Sequence, residues 1–123
     1  MHILIIEDEA ILAMHLQMFL EELGADSCAV AATQAEAVRE ALDHKPDLIA
    51  SDLILPQGSG PGAVKMIRSR LGDIPVIYIT GSPEEARLAD PGPPVITKPI
   101  RWLDLVGVTQ DHGLPSPLPA ETE

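Results

Sequence analysis

Three adjacent acidic residues, Glu7, Asp8 and Glu9, follow directly on the first apolar segment of the chain, residues 3–6. Adjacent carboxylates repel one another, and the repulsion grows where a cleft shuts out water. Such an arrangement needs compensating positive charge, from a bound cation or from a basic side chain. The stretch therefore raises the question of where in the chain that charge lies.

Other chemically active residues stand at the ends of later apolar segments. Asp52 follows the third segment, Thr80 ends the fourth and Lys98 follows the fifth. Several carboxylates together suit a hard divalent cation such as Mg²⁺, and one carboxylate can act as a nucleophile towards phosphorus. The cation, an ammonium group and a hydroxyl group would neutralise the charge on a transferring phosphoryl group. Mg²⁺ and Lys98 would thus offset the acids.

Short apolar segments alternate with segments of helical period along most of the chain. This pattern predicts an α/β fold, with a parallel sheet covered by helices on both faces. We predict strands at residues 2–6, 27–32, 47–51, 75–80 and 94–97, and helices at about 9–23, 34–44, 61–70, 83–89 and 100–106. The fourth helix is predicted to be short or irregular, because the sequence DPGPP follows it closely.

The predicted fold brings the candidate residues together. In an open parallel sheet, functional groups gather beyond the carboxyl ends of the strands, where the strand order reverses. The first, third, fourth and fifth strands end in the acids, the hydroxyl group and the lysine described above, whereas the second ends in no such residue. We therefore expect one site at this end of the sheet, with the second strand at an edge.

The ordered set Glu7-Asp8, Asp52 in SDLILP, Thr80 and Lys98-Pro99 resembles the receiver domain of two-component response regulators. The resemblance covers residues 2 to about 106. It implies a flavodoxin-like, doubly wound fold whose five-stranded parallel sheet has the order 2-1-3-4-5.

The resemblance also implies a phosphoacceptor and a metal site. Asp52 would accept the phosphoryl group. Asp8, Asp52 and the backbone carbonyl of Ile54 would bind Mg²⁺, and Glu7 would act through a metal-bound water.

The same resemblance implies the contacts to the phosphoryl oxygens. Lys98 and Thr80 would supply side-chain contacts, and Leu53 and Gly81 would supply contacts from the backbone. The bond between Lys98 and Pro99 would be a cis peptide, a form essentially confined to X-Pro bonds.

The sequence departs from the usual receiver at the residues that relay the signal. Val95 stands where an aromatic switch residue is usual, and Gly81 replaces the usual alanine. The stretch YITGSP, residues 78–83, partly resembles stand-alone receivers nicknamed for a Phe-Ala-Thr-Gly motif, although Ile79 departs from it. We therefore expect a switch region that includes Gly81, Ser82 and Val95, and a change of order within 81–94 that carries the signal.

The first predicted helix carries two groups of large apolar residues. One stripe suits packing on the sheet: Leu12, Leu16, Phe19 and Leu23. Ile11, Met14 and Met18 lie on another side. These three are either the margin of a broad core stripe or a docking patch for a helical partner, since methionine supplies an adaptable contact surface.

Each candidate residue, taken alone, also has an ordinary structural explanation. Asp8 could cap the first helix, Asp52 could be a loop acid, Thr80 could bond to backbone, and Lys98 could be a solvated surface lysine. Their joint arrangement at the strand ends favours the functional interpretation.

Composition bounds the class of protein. The chain has 123 residues and a net charge of −11, which argues against a surface that binds nucleic acid. Cys28 is the single cysteine, and no apolar stretch is long enough for a membrane span. We expect a soluble, cytoplasmic, monomeric receiver domain over residues 1–107, followed by a disordered Pro-rich acidic tail over 108–123.

We interpret the chain as a single-domain response regulator that takes a phosphoryl group from a histidine kinase or histidine phosphotransfer protein. It would signal through protein-protein contacts or serve as a phosphate sink for a kinase, and it would catalyse only its own phosphorylation and dephosphorylation. A flavodoxin-like small-molecule binder is disfavoured, because the acidic sequence EDEA would repel a phosphate lacking a metal. A phosphatase with an aspartate nucleophile would usually carry that residue after the first strand.

Overall fold

The computed structural model describes residues 1–113, which form five parallel strands and five helices. The strands are β1 His2–Ile6, β2 Ser27–Ala31, β3 Leu48–Ser51, β4 Val76–Thr80 and β5 Val95–Thr97. The helices are α1 Ala10–Glu22, α2 Gln34–Asp43, α3 Gly60–Leu71, α4 Pro83–Ala89 and α5 Trp102–Gln110. The sheet order β2-β1-β3-β4-β5 confirms the predicted topology, and the seven-residue α4 confirms the short fourth helix.

Helix α5 extends further than its sequence pattern suggested. It continues to Gln110, so residues 108–110, which we expected in the tail, are helical. Thr109 is fully buried and its hydroxyl group donates a hydrogen bond to the carbonyl of Leu105, also buried, at 2.8 Å. This packing one turn after Leu105 holds the last turn on the domain. The rest of the expected tail, residues 114–123, lies outside the described residues.

Two aliphatic layers sandwich the sheet. Successive residues of a strand point to opposite faces, so Leu4 and Ile6 pack with α2 and α3, whereas Ile3 and Ile5 pack with α1. All five residues of β1 are buried, as are all five of β4. Within the described residues, no helix is both long and apolar enough to cross a membrane.

Helix α1 buries most of the predicted stripe. Leu16 and Leu23 are buried, and Leu12 and Phe19 are partly buried against the same layer. Leu20, which the stripe omitted, is fully buried. The stripe of α1 therefore forms part of the core.

Two side chains at the start of α2, those of Thr33 and Glu36, accept hydrogen bonds from backbone N–H groups. The Thr33 hydroxyl group accepts a hydrogen bond from the backbone N–H of Glu36 at 3.1 Å. The Glu36 carboxylate accepts from the N–H of Ala32, the residue before the cap. Two N–H groups at the helix start are thereby satisfied, which fixes where α2 leaves the end of β2.

Glycine at position 60 lets α3 begin against the end of β3. A Cβ atom here would lie 1.8 Å from the backbone oxygen of Asp52 and 2.5 Å from the Ser51 hydroxyl oxygen. The Gly60 N–H also donates a hydrogen bond to the carbonyl of Leu53 at 3.0 Å. The loop that carries Asp52 therefore closes tightly only because no side chain intervenes.

We expect Gly60→Ala to lower the free energy of unfolding by about 1–3 kcal/mol, because the added methyl group overpacks the loop. Gly107→Ala is the matched control. A Cβ at Gly107, within α5, meets no atom within 4 Å. This control should raise stability by roughly 0.5–1 kcal/mol through helix propensity. Urea unfolding followed by circular dichroism measures both, and equal effects at the two positions would contradict the packing argument.

His2 lies at the opposite end of the sheet in an environment that favours its neutral form. Its ring stacks on His44 with centroids 3.6 Å apart, and its Nε2 has no hydrogen-bond partner within residues 1–113. Burial, and then the charge of His44, lower the pKa of His2 against the opposing effect of Asp47 and Glu40. The stability contributed by neutral His2 is therefore present above the ordinary pKa of 6.5 and is lost as the pH falls below it.

We expect the free energy of unfolding to decrease as the pH falls below 6.5, the ordinary pKa of His2. The decrease should be smaller in His2→Gln, which has no imidazole to protonate. It should be unchanged in His15→Gln, since His15 is an exposed histidine on α1. Denaturant unfolding at a series of pH values tests this, and identical pH profiles for wild type and His2→Gln would show that His2 contributes nothing.

Candidate functional site

Backbone hydrogen bonds continue the sheet past the ends of β1 and β3 and so position two of the acids. The N–H of Glu7 donates to the carbonyl of Ala31 at 2.9 Å, and the N–H of Asp52 donates to the carbonyl of Ile6 at 2.9 Å. Glu7 and Asp52 therefore lie next to each other, just beyond the carboxyl ends of the neighbouring strands β1 and β3. Parallel pairing alone brings together two residues that are 45 positions apart in the chain.

Three carboxylates form one cluster at this edge. Glu7, Asp8 and Asp52 each offer an oxygen, and these oxygens all lie within 4.8 Å of one another. Glu7 is buried, Asp52 is partly buried and Asp8 is exposed, so the cluster opens to solvent on the side of Asp8. A set of carboxylate oxygens suits a hard cation such as Mg²⁺ and does not suit a soft metal.

Lys98 supplies the positive charge within the described site. Its Nζ lies 3.1 Å from an oxygen of Asp52 and 3.3 Å from an oxygen of Glu7. Because Lys98 follows the edge strand β5, its side chain must reach past the ends of β4 and β3 to make these contacts. These ion pairs therefore connect the segment after β5 to the residues that follow β3 and β1.

The electrostatics of the cluster follow from burial. Burial raises the pKa of Glu7, and the charge of Asp52 raises it further, while the Glu9 N–H and Lys98 oppose the rise. Burial alone would lower the pKa of Lys98, but the hydrogen bonds and charges of Asp52 and Glu7 outweigh it, so the pKa is raised. Lys98 therefore keeps its positive charge at neutral pH.

Asp52 is held by two donors on its two oxygens. The backbone N–H of Leu53 donates to Oδ1 at 2.7 Å, and Lys98 donates to Oδ2. Ile54, two residues further on, pairs with Ser59 in an isolated antiparallel bridge. The backbone on both sides of the Ile54 carbonyl is thus ordered by short-range pairing.

Thr80 lies at the end of β4, where its side chain is buried. Its hydroxyl oxygen accepts a hydrogen bond from the N–H of Ser82 at 3.0 Å. Gly81 is exposed between them, and Lys98 donates its backbone N–H to the Thr80 carbonyl at 2.9 Å. The peptide bond between Lys98 and Pro99 is cis.

The remaining candidate residues are not members of the carboxylate cluster. Val95 on β5 is partly buried and stands opposite Tyr78 of β4 in the sheet register. Ile11, Met14 and Met18 on α1 are 69%, 53% and 52% exposed.

The ordinary explanation for Asp8 as a helix cap does not apply. The cap position of α1 is Glu9, and its side chain makes no capping hydrogen bond. Asp8 is exposed and belongs to the carboxylate cluster.

Sequence reasoning missed Gln34, which braces the loop that carries Asp52. Its backbone N–H donates to the carbonyl of Gln57 at 3.1 Å, and its side-chain oxygen accepts from the N–H of Ser59 at 3.0 Å. Gly58 adopts a positive φ of 87° beside this side chain. Only the glycines in QGSG could have signalled a tight loop, and nothing in the sequence pointed to Gln34 itself.

A five-stranded sheet of this order, with acids after β1 and β3 and a lysine after β5, defines a receiver-type domain. The chain belongs to the response regulator receiver domain family, whose model matches residues 3–106. This is the family of receiver domains of two-component signalling, as the residue pattern predicted.

Curated relatives share only part of their length with this chain. The phyllosphere-induced regulator PhyR of Methylorubrum extorquens is 45% identical over 84 residues, which are 67% of this chain and 31% of PhyR. The chemotaxis protein CheY of Bacillus subtilis is 28% identical over 88 residues, 72% of this chain and 73% of CheY. The chain thus spans about a third of PhyR and most of CheY.

Solved structures of other receiver domains confirm the fold. The receiver domain of Erythrobacter litoralis PhyR is 32% identical, with a TM-score of 0.81, and the match covers 97% of this chain and 95% of that one. The receiver domain of a sensor histidine kinase from Pseudomonas aeruginosa is 25% identical, with a TM-score of 0.78 and coverage of 89% and 94%. That structure has a magnesium ion coordinated in its active site cleft. Receiver domains bind Mg²⁺ in such an acidic cleft, and this chain has the acidic cluster.

We expect Asp8→Asn to raise the dissociation constant for Mg²⁺ on the order of 100-fold, because it would remove a full charge from a residue predicted to be a direct ligand. Glu7→Gln should raise it less than about tenfold, since Glu7 would act through water and is already paired with Lys98. Isothermal titration calorimetry with MgCl₂ measures both constants.

Glu9→Gln is the control for net charge, because Glu9 is adjacent and acidic but lies outside the carboxylate cluster. Its Mg²⁺ affinity should match that of the wild type. Equal losses in Asp8→Asn and Glu7→Gln would overturn the different roles assigned to the two acids.

Proposed function

We propose that this receiver domain accepts a phosphoryl group on Asp52 from the phosphohistidine of a histidine kinase or histidine phosphotransfer protein. The observation that carries the proposal is the placement of Lys98 Nζ 3.1 Å from Asp52 within a cluster of three carboxylates. The Asp52 carboxylate, the ammonium group of Lys98 and the candidate metal ligands lie together at the solvent-exposed carboxyl ends of the strands, as phosphoryl transfer requires.

Asp52 is the best-placed nucleophile of the three acids. Glu7 is 2% exposed and its pKa is raised by burial, so it is poorly placed to attack an incoming phosphorus atom. Asp8 is exposed and has no contact with Lys98 among the described bonds. In the transfer, a carboxylate oxygen of Asp52 forms the new P–O bond while the P–N bond to histidine breaks. The departing nitrogen keeps the bonding electron pair and takes up a proton.

Asp8, Asp52 and the backbone carbonyl of Ile54 would hold Mg²⁺, with Glu7 acting through a bound water. When bound, the ion neutralises charge on the phosphoryl oxygens. Lys98 is already positioned by Glu7. It would keep this position while its ammonium group also attracts an oxygen of the phosphoryl group. The buried Glu7 therefore serves to orient Lys98 as well as to adjust the charge of the site.

Thr80 and the backbone N–H groups of Leu53 and Gly81 would contact the remaining phosphoryl oxygens. The Leu53 N–H already donates to Asp52 in the free protein, so it lies beside the acceptor oxygen. The Thr80 hydroxyl group can donate to a phosphoryl oxygen while it still accepts from Ser82, because a hydroxyl group does both. The space beside Gly81 is open, since even a Cβ atom there would meet nothing within 4 Å.

We assign the docking of the phosphodonor to α1. Ile11, Met14 and Met18 are exposed on α1, and Ile11 borders a cleft of about 450 Å³ between α1 and the segment after β5. The cleft is lined by Ile11 and by Lys98 of the site. A helical partner seated on α1 would therefore lie next to Asp52's ion pair.

The signal would leave through residues 81–94 and Val95. A valine side chain has no long lever, so an aromatic rotamer cannot relay the change at this position. Helix α4 has seven residues and buries only Ala86, so it is weakly held and can respond to a shift of Thr80. Altered contacts of this segment with a partner protein would be the output.

We expect Asp52→Asn to fold normally and to take up no phosphate, because an amide is a poor nucleophile. Intact-protein mass spectrometry after incubation with acetyl phosphate and Mg²⁺ measures the uptake. Asp73→Asn, at an exposed acid before β4, is the control and should be phosphorylated like the wild type. Wild-type uptake by Asp52→Asn would remove Asp52 from its role, and continuous donor turnover without a phosphorylated protein would favour a phosphatase.

A further inference from the structure

Tyr78 is the largest fully buried side chain of the domain and carries a polar group into its core. It lies in the middle of β4 and packs in the layer that contains Ala86 of α4. Its hydroxyl group donates a hydrogen bond to Asp90 Oδ2 at 2.8 Å. Burial and this bond raise the pKa of Tyr78, so the phenol keeps its proton and acts as a donor.

Asp90 joins three elements through one carboxylate. It caps the C-terminal end of α4, where its N–H donates to the carbonyl of Ala86 at 3.0 Å. The oxygen that accepts from Tyr78 also lies 3.6 Å from Arg68 of α3. Arg68 is held in turn by two hydrogen bonds to the carbonyl of Ile74, at 3.1 and 3.2 Å, just before β4.

The two ends of α4 are thus tied to two residues on the same face of β4. Ser82 at the N-terminal end donates to Thr80, and Asp90 at the C-terminal end accepts from Tyr78. Thr80 and Tyr78 are two positions apart on the strand, so their side chains point the same way. The first tie ends on a residue that would contact the phosphoryl group, whereas the second lies further from the site, within the core.

We propose that the Tyr78–Asp90 hydrogen bond is a fixed anchor for the C-terminal end of α4, about which phosphorylation moves the N-terminal end. This inference rests on the proposed phosphorylation of Asp52. When Thr80 shifts towards a phosphoryl group, the bond to Ser82 draws the start of α4 with it. The end of α4 stays in place because the phenol cannot leave the core and Arg68 holds the same carboxylate.

The anchor also explains why position 95 can be a valine and not an aromatic switch residue. Val95 pairs with Tyr78 across β4 and β5 and packs against the same layer. The ring of Tyr78 already occupies this region of the core and is tied at its hydroxyl group. The domain therefore keeps its aromatic side chain fixed and moves the short helix.

The test compares Tyr78→Phe with wild type by residue-resolved amide hydrogen exchange, with and without beryllium fluoride and Mg²⁺. In the free protein, loss of one hydrogen bond should speed exchange at residues 88–90 roughly two- to tenfold. With beryllium fluoride, the wild type should change protection at 81–86 and keep it at 88–90. In Tyr78→Phe the change should spread to 88–90.

Two further variants separate the anchor from general stability. Asp90→Asn keeps an acceptor for the phenol and loses only the charge that faces Arg68, so its exchange at 88–90 should lie between that of the wild type and that of Asp90→Ala. Asp90→Ala should speed exchange there at least as much as Tyr78→Phe. Thr109→Val removes another buried hydroxyl group, on α5, and should leave 88–90 unchanged. If Tyr78→Phe exchanged at 88–90 at the wild-type rate, the anchor would be overturned. The anchor would also be overturned if residues 88–90 of the wild type lost protection with beryllium fluoride bound. Absence of any response in the loops after Asp8 and Asp52 would instead count against the proposed phosphorylation.

Discussion

Lys98 places one ammonium group 3.1 Å from Asp52 and 3.3 Å from Glu7, at the end of a sheet whose strands are mostly aliphatic. Without that group, the buried Glu7 and its two acidic neighbours would repel one another in a region partly closed to water. The attraction also spans the sheet, because Lys98 follows β5 and Glu7 follows β1. A cluster of this kind can bind a second cation beside the ammonium group. An anionic group that needs both positive charges can then bind there, which is the chemical basis of a receiver domain.

Parallel strand pairing supplies the precision of the site, and the loop after β3 preserves it. Gly60 allows α3 to begin in contact with the backbone of Asp52, and Gln34 of α2 braces the same loop from the other side. These contacts fix the backbone of the proposed acceptor without using any atom of its carboxylate. The proposed acceptor is therefore held by its neighbours through its backbone, and its carboxylate oxygens would remain available for hydrogen bonds and metal binding.

Rigidity and mobility are divided unevenly across the domain. Every residue of β4 is buried, whereas the seven-residue α4 that follows it buries one. A helix this short is marginal by itself and depends on its tertiary contacts. The bonds of Ser82 to Thr80 and of Asp90 to Tyr78 are therefore large in effect relative to the few apolar contacts of α4. In the proposed mechanism, a small displacement at the end of β4 would change the position of α4 without disturbing the core.

Apolar periodicity predicted the fold class, because it is a property of local pattern. The order of Glu7, Asp8, Asp52, Thr80 and Lys98 along the chain predicted the family, and the strand order followed from that resemblance. The predicted end of α5 was wrong, because the burial of Thr109 is a tertiary contact that no local pattern reveals. The sequence also predicted that Lys98 offsets the acids, but tertiary structure alone decided which two acids it contacts, the bracing by Gln34 and the bond from Tyr78 to Asp90. Each of these joins residues on different elements, and their distances follow from how the helices pack on the sheet.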